Sequence, residues 1–297
     1  MQGTEISRRL VVENALNRVR SAGVPAERRE VEWMLQSVEG LSRAGFVAGL
    51  NEPPRADALP GFDRMISRRM AHEPVQYILG EADFFGRTFR VTPDVLIPRP
   101  ETEWLVERVM GAALASGEAA AKAAARAAPR ILDAGTGSGC IAITLALELP
   151  AAACTAFDIS PGALEVARSN AERLGADIRF EVRDMLDEAP DAWLGSFDLL
   201  VSNPPYVPDS ERGALERQVA DFEPEEALFT GDDELTFYRG LARLGRAVLA
   251  PAGRLIVETH ADHASGVLGV MESAGYRDGS VERDLAGRDR IVSVLRP

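Results

Sequence analysis

The chain has 297 residues, enough for two domains that each bury a hydrophobic core. Its formal net charge of −13 argues against direct binding of nucleic acid, and no apolar run reaches the roughly 18 residues of a membrane span. Cys140 and Cys154 lie in apolar segments, which is typical of the reducing cytoplasm rather than of a disulfide-stapled protein.

Residues 1–73 are predicted to form a small helical domain. Apolar residues recur at helical spacing in residues 5–22 and 27–38, and a glycine follows each segment closely. Two further helices are predicted at 42–50 and 56–70. Because this part of the sequence has no glycine loop, metal cluster or candidate nucleophile, we interpret it as a packing or docking domain that can present a protein partner.

Residues 74–98 are predicted to form a β-hairpin connector. Two short segments that are typical of strands, Phe84–Phe85 and Thr88–Val91, flank Gly86 and Arg87, which is the pattern of two strands joined by a tight turn. The connector leads to the proline-rich arm that precedes the next predicted helix.

Arg99 lies in this arm between two prolines, so its backbone is extended and its side chain is hard to bury. Two interpretations stay open: Arg99 forms a surface ion pair with Glu101, or the arm borders a site formed farther along the chain. Thr102 is predicted to cap a helix that begins near Glu103. The alanine-rich residues 111–128 are predicted to be the end of that helix and a surface linker.

A glycine-rich loop follows a predicted strand that begins at residue 130 and precedes a helix. The loop consists of Gly135, Thr136, Gly137, Ser138 and Gly139. Glycines let a ligand approach the backbone closely, and the start of the helix offers free N–H groups. A dinucleotide fingerprint would require glycine at position 140, where this chain has Cys140, so an NAD-dependent oxidoreductase is disfavoured. No lysine follows the glycines, so a Walker phosphate loop is absent as well.

Asp133 lies just ahead of the glycine loop, and acidic residues also follow the next two predicted strands. Asp158 follows the strand at 153–157, where a carboxylate can bind both hydroxyls of a ribose. Asp184 and Met185 follow the strand at 178–182, and they can contact the amino group and the ring of an adenine. Together with the glycine loop, these positions predict a site for an adenosyl ligand.

A rigid corner ends the predicted strand at 197–201. It contains Asn203, Pro204, Pro205 and Tyr206. The Asn203 side-chain oxygen and the Pro204 carbonyl can accept both protons of a planar NH₂ group, and Tyr206 can cover its face. Taken alone, the same residues are equally typical of a plain turn or an exposed proline ligand.

The remaining residues are predicted to complete the α/β domain. The polar stretch 207–233 is too long for a plain loop and is interpreted as a lid or substrate wall. Helices are predicted at 235–250 and 267–274, with strands at 254–258, 277–285 and 290–295. His260 and His263 lack an evident third ligand, so we predict no metal site.

Four motifs together resemble the HemK/PrmC family, the release factor glutamine methyltransferases of the class I S-adenosylmethionine-dependent type. They lie at residues 74–80, 96–102, 203–206 and 223–228, and the resemblance covers nearly the whole chain. It implies a seven-stranded Rossmann-like class I methyltransferase sheet in residues 99–297, joined by the hairpin connector to the amino-terminal helical bundle.

The resemblance also implies a function. Gly135 to Gly139, Asp158, Asp184, Met185 and Asn203 would contact S-adenosyl-L-methionine. Asn203 to Tyr206, bordered by Arg99, would hold the glutamine of the Gly-Gly-Gln loop in class-1 peptide-chain release factors. The expected protein is a cytoplasmic monomer that binds no membrane. Glu234 and the segment 258–263 depart from the family pattern, which bears on substrate details rather than on the chemistry.

Three alternatives stay open at this point. A ribosomal-protein glutamine methyltransferase would share the chemistry and differ in its docking surface. An adenine-N6 DNA methyltransferase would use the same corner, but the net charge of −13 disfavours it. A scaffold that binds the cofactor without turnover is disfavoured by the intact corner at 203–206 beside Asp158.

Overall fold

The computed structural model describes residues 6–122, 128–284 and 286–297. The chain divides into two compact units, Met1–Glu81 with Glu216–Phe222, and Ala82–Leu215 with Glu223–Pro297. Within the described residues, no helix combines the length and apolar character that a membrane crossing requires.

The first unit is helical, as predicted. Its helices are α1 (Arg8–Ser21), α2 (Arg28–Glu39), α3 (Arg43–Ala48), α4 (Leu59–Met70) and α5 (Val75–Leu79). The helix predicted at 5–22 begins at Arg8, because Ser7 caps it by accepting a hydrogen bond from the Leu10 N–H at 3.4 Å; residue 5 lies outside the described residues. Val12, Met34 and Phe46 are among the buried side chains of the core of this unit.

Helix α5 was not expected, because residues 74–80 were assigned to the hairpin connector. It begins directly after Pro74 and ends at Gly80, which has a φ of 78°. A proline before a helix and a left-handed glycine after it are start and stop signals that also work for a single turn. Residues 74–98 therefore contain a helical turn in addition to the hairpin.

The hairpin is present, but its turn lies one residue earlier than predicted. Strand β1 (Glu81–Phe84) pairs with β2 (Arg87–Arg90), so Phe85 and Gly86 form the loop. Their φ values are 50° and 71°, since a two-residue turn of this type requires positive φ at both positions. The Phe85 N–H donates a 2.7 Å hydrogen bond to Glu103, which stabilises this unusual conformation.

The second unit contains the predicted seven-stranded sheet, with strand order β5-β4-β3-β6-β7-β9-β8. In chain order the strands are β3 (Arg130–Ala134), β4 (Ala153–Asp158), β5 (Ile178–Val182), β6 (Phe197–Ser202), β7 (Leu249–Glu258), β8 (Arg277–Arg283) and β9 (Asp289–Leu295). Strands β3 to β7 are parallel, and β9 runs antiparallel to both β7 and β8. The predicted Rossmann-like fold is confirmed.

Helices cover both faces of this sheet. They are α6 (Pro100–Lys122), α7 (Cys140–Glu148), α8 (Pro161–Leu174), α11 (Thr236–Val248) and α12 (Ala264–Ser273), with the short α9 (Arg217–Ala220) and α10 (Glu225–Leu228) elsewhere in the chain. Leu132 and Leu200 join one apolar cluster with α11 and α12, while Ile131 and Leu199 join the other with α6 and α7. Neighbouring residues of a strand point to opposite faces, so continuous apolar strands supply both cores.

Several predicted boundaries are corrected. Helix α6 begins at Pro100, so Thr102 lies in its first turn and is not its cap. The helix also continues into the alanine-rich stretch as far as Lys122, and residues 123–127 and 285 lie outside the described residues. Helix α11 ends before residue 249, because Leu249 already pairs with Phe197 as the first residue of β7.

The predicted lid at 207–233 has local structure of its own. It contains a 3₁₀-helix at Asp209–Ala214 as well as α9 and α10. Val207 and Phe229 form a parallel bridge, in which the Val207 N–H donates to the Leu228 carbonyl at 3.0 Å. The base of this segment is therefore closed by backbone hydrogen bonds.

The strand order reverses direction along the chain between β3 and β6. In open α/β sheets, ligands bind outside the carboxyl ends of the strands at such a switch point. The glycine loop and the predicted corner follow these two strands, so the fold places both at the same edge.

Candidate active site

The glycine loop is held against the end of the neighbouring strand β4. The N–H groups of Gly135 and Thr136 both donate to the Phe157 carbonyl, at 2.9 and 3.0 Å. Gly135, Gly137 and Gly139 have φ values of 72°, 54° and 81°, in the left-handed region that favours glycine. The backbone conformation of the loop therefore favours glycine at these three positions.

The glycines also differ in the space around them. A Cβ on Gly135 would lie 3.0 Å from the Met185 Cε, and one on Gly139 would lie 2.8 Å from the Ile143 Cδ1. Beside Gly137 there is no atom within 4 Å. The loop is thus packed tightly at its two ends and open in its middle.

Asp158, at the end of β4, is hydrogen-bonded through both carboxylate oxygens. Its Oδ2 accepts from the Gly137 N–H at 2.8 Å, and its Oδ1 accepts from the Ser160 N–H at 3.0 Å. Burial raises the pKa of this carboxyl, and the backbone hydrogen bonds partly offset that effect. Each oxygen keeps lone-pair capacity for a ligand hydroxyl.

Asp133 lies beneath the loop and is 1% exposed. Its Oδ2 accepts a 2.7 Å hydrogen bond from the Thr136 hydroxyl. Among the described residues, its Oδ1 has no partner. Burial raises the pKa of Asp133 to about 7, and the Thr136 hydroxyl and the Ala142 N–H partly offset that effect. This buried carboxyl therefore supports the glycine loop from beneath.

Asp184 and Met185 follow β5, as predicted. The Asp184 Oδ1 accepts a 2.8 Å hydrogen bond from the Leu186 N–H, which fixes the turn after the strand. Met185 is buried and packs beside Gly135. The end of the third predicted strand is therefore next to the glycine loop.

The corner after β6 is anchored to β3. The Ser202 hydroxyl donates a 2.7 Å hydrogen bond to the Ala134 carbonyl, the residue before the glycine loop. Pro204 and Pro205 are buried, whereas Asn203 and Tyr206 are half-buried. The corner is a fixed part of the sheet edge rather than an exposed proline ligand.

The Asn203 side chain is hydrogen-bonded to a buried hydroxyl, which is in turn hydrogen-bonded to a buried carboxylate. Its Nδ2 donates to the Thr102 Oγ1 at 3.2 Å, and that hydroxyl donates to the Glu258 Oε2 at 2.8 Å. Burial raises the pKa of Glu258 to about 7. Neither partner was among the predicted site residues, although Glu258 ends β7 just as Asp158 ends β4.

A second missed neighbour of the corner is a histidine. The ring centroids of His260 and Tyr206 are 6.2 Å apart, and those of His260 and His263 are 5.0 Å apart. Burial raises the pKa of Tyr206 to about 12. Within the described part of the chain, no group of three or more His, Cys, Asp or Glu side chains could hold a metal ion.

Arg99 does not pair with Glu101. It donates a 2.6 Å hydrogen bond to the Oε1 of Glu223, a buried carboxylate whose pKa burial raises. Glu101 instead lies 3.7 Å from Arg288. Of the two interpretations of Arg99, the structure supports the one in which the arm borders a site.

These elements surround one cleft of about 1230 Å³, including the part that is open to solvent. Among the predicted site residues, its lining contains Arg99, Gly135, Thr136, Gly137, Ser138, Asp158, Asp184, Met185, Asn203 and Pro205. Gly139, Pro204 and Tyr206 are adjacent in sequence to lining residues but do not line the cleft themselves.

The lining of the cleft carries more acidic than basic side chains. Its acidic side chains are Asp94, Asp158, Asp184 and Glu226, and its basic side chains are Arg99 and Arg183. The positive charge of Arg99 is moreover paired with Glu223. The cleft is therefore suited electrostatically to a ligand that carries positive charge.

The chain is similar to known proteins over nearly its full length. Residues 11–80 match the family described as "PrmC N-terminal domain", and residues 126–277 match "Methyltransferase domain". The release factor glutamine methyltransferase of Cereibacter sphaeroides is 41% identical over 95% of this chain and 96% of the relative. The enzyme of Geobacter sulfurreducens is 40% identical over 91% of this chain and 90% of the relative. That of Bacteroides thetaiotaomicron is 44% identical over 79% of this chain and 80% of the relative.

Proposed function

This chain belongs to the family of release factor glutamine methyltransferases, and from that premise we propose its reaction. It transfers a methyl group from S-adenosyl-L-methionine to the side-chain amide nitrogen, N5, of the glutamine in the Gly-Gly-Gln loop of class-1 peptide-chain release factors. The observation that carries this conclusion is the shared cleft, which Asp158 and the glycine loop line together with Asn203. A methyl donor and an acceptor nitrogen can react only where their sites meet.

The residues of the cleft fit the cofactor. S-adenosyl-L-methionine supplies a methyl group made electrophilic by the positively charged sulfur to which it is bound. Asp158 would hold the ribose hydroxyls, and Asp184 with Met185 would contact the adenine. The open space at Gly137 admits close approach of the cofactor to the backbone.

The corner would position the nitrogen that is methylated. An amide nitrogen is a poor nucleophile, because its lone pair is delocalised into the carbonyl. The Asn203 Oδ1 and the Pro204 carbonyl would each accept a hydrogen bond from one N–H of the glutamine amide. These two bonds would direct the nitrogen toward the methyl group, while Tyr206 packs against the glutamine side chain. The nitrogen becomes acidic as the bond to carbon forms, so positioning and electrostatic stabilisation supply most of the effect.

The remaining parts of the chain have supporting roles in this proposal. Residues 1–73 dock the release factor, which is supported by the match of residues 11–80 to "PrmC N-terminal domain". Residues 74–98 connect that domain to the transfer domain at 99–297, where Arg99 and Pro205 border the glutamine. The enzyme acts as a monomer in the cytoplasm, where release factors are found.

The test is a transfer assay with isotope-labelled S-adenosyl-L-methionine. The full-length protein is incubated separately with purified release factors, ribosomal proteins and DNA, and the methyl group is located by mass spectrometry. We expect label on the glutamine of the Gly-Gly-Gln loop and none on a release factor with that glutamine changed to asparagine. Label on a ribosomal protein or on DNA alone, or cofactor binding without transfer to any of them, would overturn the proposal.

A further inference from the structure

A buried hydroxyl lies between the Asn203 side chain and a carboxylate. Thr102 and Glu258 are 3% and 2% exposed. The Asn203 Nδ2 lies 3.2 Å from the Thr102 Oγ1, which lies 2.8 Å from the Glu258 Oε2. Among the described residues, Thr102 is the hydrogen-bond partner of the Asn203 side chain.

The chemistry of these groups gives the hydrogen bonds a direction. An ionised carboxylate only accepts hydrogen bonds, and a hydroxyl has a single proton to donate. The Thr102 proton is therefore directed to Glu258, and the Thr102 oxygen can only accept from Asn203. The NH₂ group of the carboxamide consequently faces Thr102, and its Oδ1 faces away from it.

We propose that Thr102 and Glu258 are positioning residues that hold the Asn203 carboxamide with its oxygen available to the substrate nitrogen. This inference rests on the proposed function, in which Asn203 accepts a hydrogen bond from the glutamine NH₂ group. In the reversed orientation, the Asn203 NH₂ group would face the NH₂ group of the glutamine, and two donors cannot pair. The orientation of one side chain thus decides whether the substrate is held.

The three residues come from different elements, which keeps the arrangement rigid. Thr102 lies in the first turn of α6, Asn203 follows β6, and Glu258 is the last residue of β7. The Glu258 carbonyl also accepts a 3.1 Å hydrogen bond from the buried Tyr238 hydroxyl of α11. A side chain fixed by such packing is pre-organised for its ligand.

Kinetics of two Thr102 variants test the hydroxyl. Thr102→Val keeps the shape of the side chain but removes the hydrogen bonds, and we expect kcat for the release factor to fall about 10- to 100-fold. The KM for S-adenosyl-L-methionine should stay within about threefold of the wild-type value, because losing one hydrogen bond outside the cofactor contacts changes binding little. Thr102→Ser restores the hydroxyl and should recover most of kcat. The matched control is Thr144→Val, since Thr144 is equally buried and its hydroxyl has no partner among the described residues.

Two outcomes of these kinetics would contradict the proposal. If Thr102→Val keeps the wild-type kcat, the hydroxyl has no positioning role. If Thr102→Ser is as impaired as Thr102→Val, packing rather than hydrogen bonding explains the loss.

Glu258→Gln provides a second variant with nearly unchanged volume, and it should also lower kcat, because an amide no longer forces the Thr102 proton toward it.

A measurement without turnover separates this inference from the proposed function. The side-chain NH₂ signals of Asn203 are followed by nuclear magnetic resonance in protein labelled with ¹⁵N-asparagine and are assigned by their absence in Asn203→Ala. We expect them to shift in Thr102→Val and to remain near their wild-type positions in Thr102→Ser and Thr144→Val. Unchanged signals in Thr102→Val overturn the inference, whereas an inactive wild-type protein overturns only the proposed function.

Discussion

The guanidinium group of Arg99 donates a 2.6 Å hydrogen bond to Glu223, whose other carboxylate oxygen accepts from the Ile97 N–H at 3.3 Å. Two segments that are far apart in sequence are thereby joined at one buried carboxylate. Arg99 and Pro224, the residue after Glu223, both line the cleft. The pair therefore fixes one wall of the site.

Glu223→Gln should loosen this wall. The amide can still accept from Ile97, but it loses the charge-assisted hydrogen bond to Arg99, and such bonds contribute about 1.5–3 kcal/mol. We expect the melting temperature to fall by several degrees, about 2–4 °C for each kcal/mol, and cofactor binding to weaken. Thermal denaturation and titration calorimetry measure the two effects. The control is Glu211→Gln at an exposed position, and an unchanged melting temperature in Glu223→Gln would show that the contact is unimportant.

Asn203→Ala should separate methyl transfer from cofactor binding. Because Asn203 would stabilise the reacting nitrogen, we expect kcat to fall by about 10²- to 10³-fold. The Kd for S-adenosyl-L-methionine should change little. Asp158→Asn should have the opposite pattern, with cofactor affinity reduced about tenfold or more, since a charged acceptor for the ribose hydroxyls is lost. Single-turnover transfer and calorimetry distinguish the two, and full activity in Asn203→Ala would be incompatible with the assigned role.

Activity should depend on the protonation of Glu258. Burial raises its pKa from the ordinary 4.5 to about 7. Once Glu258 is protonated, Thr102 is free to donate to the Asn203 oxygen, and the carboxamide loses its preferred orientation. We therefore expect kcat to fall as the pH drops through about 7. The groups that influence this carboxyl are Thr102, Arg290, Glu101, Arg99, Cys140, Tyr206 and Tyr238.

The stability of the fold should respond to pH in the opposite sense. A carboxyl group whose pKa is raised by folding favours the folded state below its ordinary pKa, and this contribution is lost as the pH rises through about 7. A loss of kcat at pH 6 is therefore not explained by unfolding. Glu258→Gln should flatten the kcat profile in this range. A variant profile that still falls at the same pH would assign the titration to another group, such as Asp133, whose pKa is also about 7.

The helical unit should depend strongly on one buried ion pair. Glu39, whose side chain is 0% exposed, accepts hydrogen bonds from the Arg8 Nε and Nη2 at 2.7 and 2.9 Å. Glu39→Gln removes the buried partner of the Arg8 charge and leaves only the exposed Glu52 at 3.6 Å, which costs about 3 kcal/mol of unfolding free energy. Hydrogen exchange of residues 8–70 measures this locally. The exposed pair of Arg18 and Asp63 provides the control, because Asp63→Asn should cost only about 0–1 kcal/mol; equal effects of the two substitutions would contradict the distinction.

Much of the site was predictable from local patterns. The strands could be identified because apolar, β-branched runs end abruptly at polar residues, and parallel strands bring their carboxyl ends to one edge. That rule alone placed Asp158 and Asn203 beside the glycine loop. The errors in element boundaries arose where a local signal competed with pairing, as at Leu249, which joins β7 by pairing with Phe197.

The sequence by itself therefore determined which residues end each strand, the conformation of the glycine loop and the rigidity of the corner. Each of these depends on neighbours within a few positions along the chain. Only the tertiary structure decided the partners. Asn203 and Thr102 are 101 residues apart, Thr102 and Glu258 are 156 apart, and Arg99 and Glu223 are 124 apart. Such contacts follow from how elements pack in space, and periodicity or spacing along the chain carries no information about them.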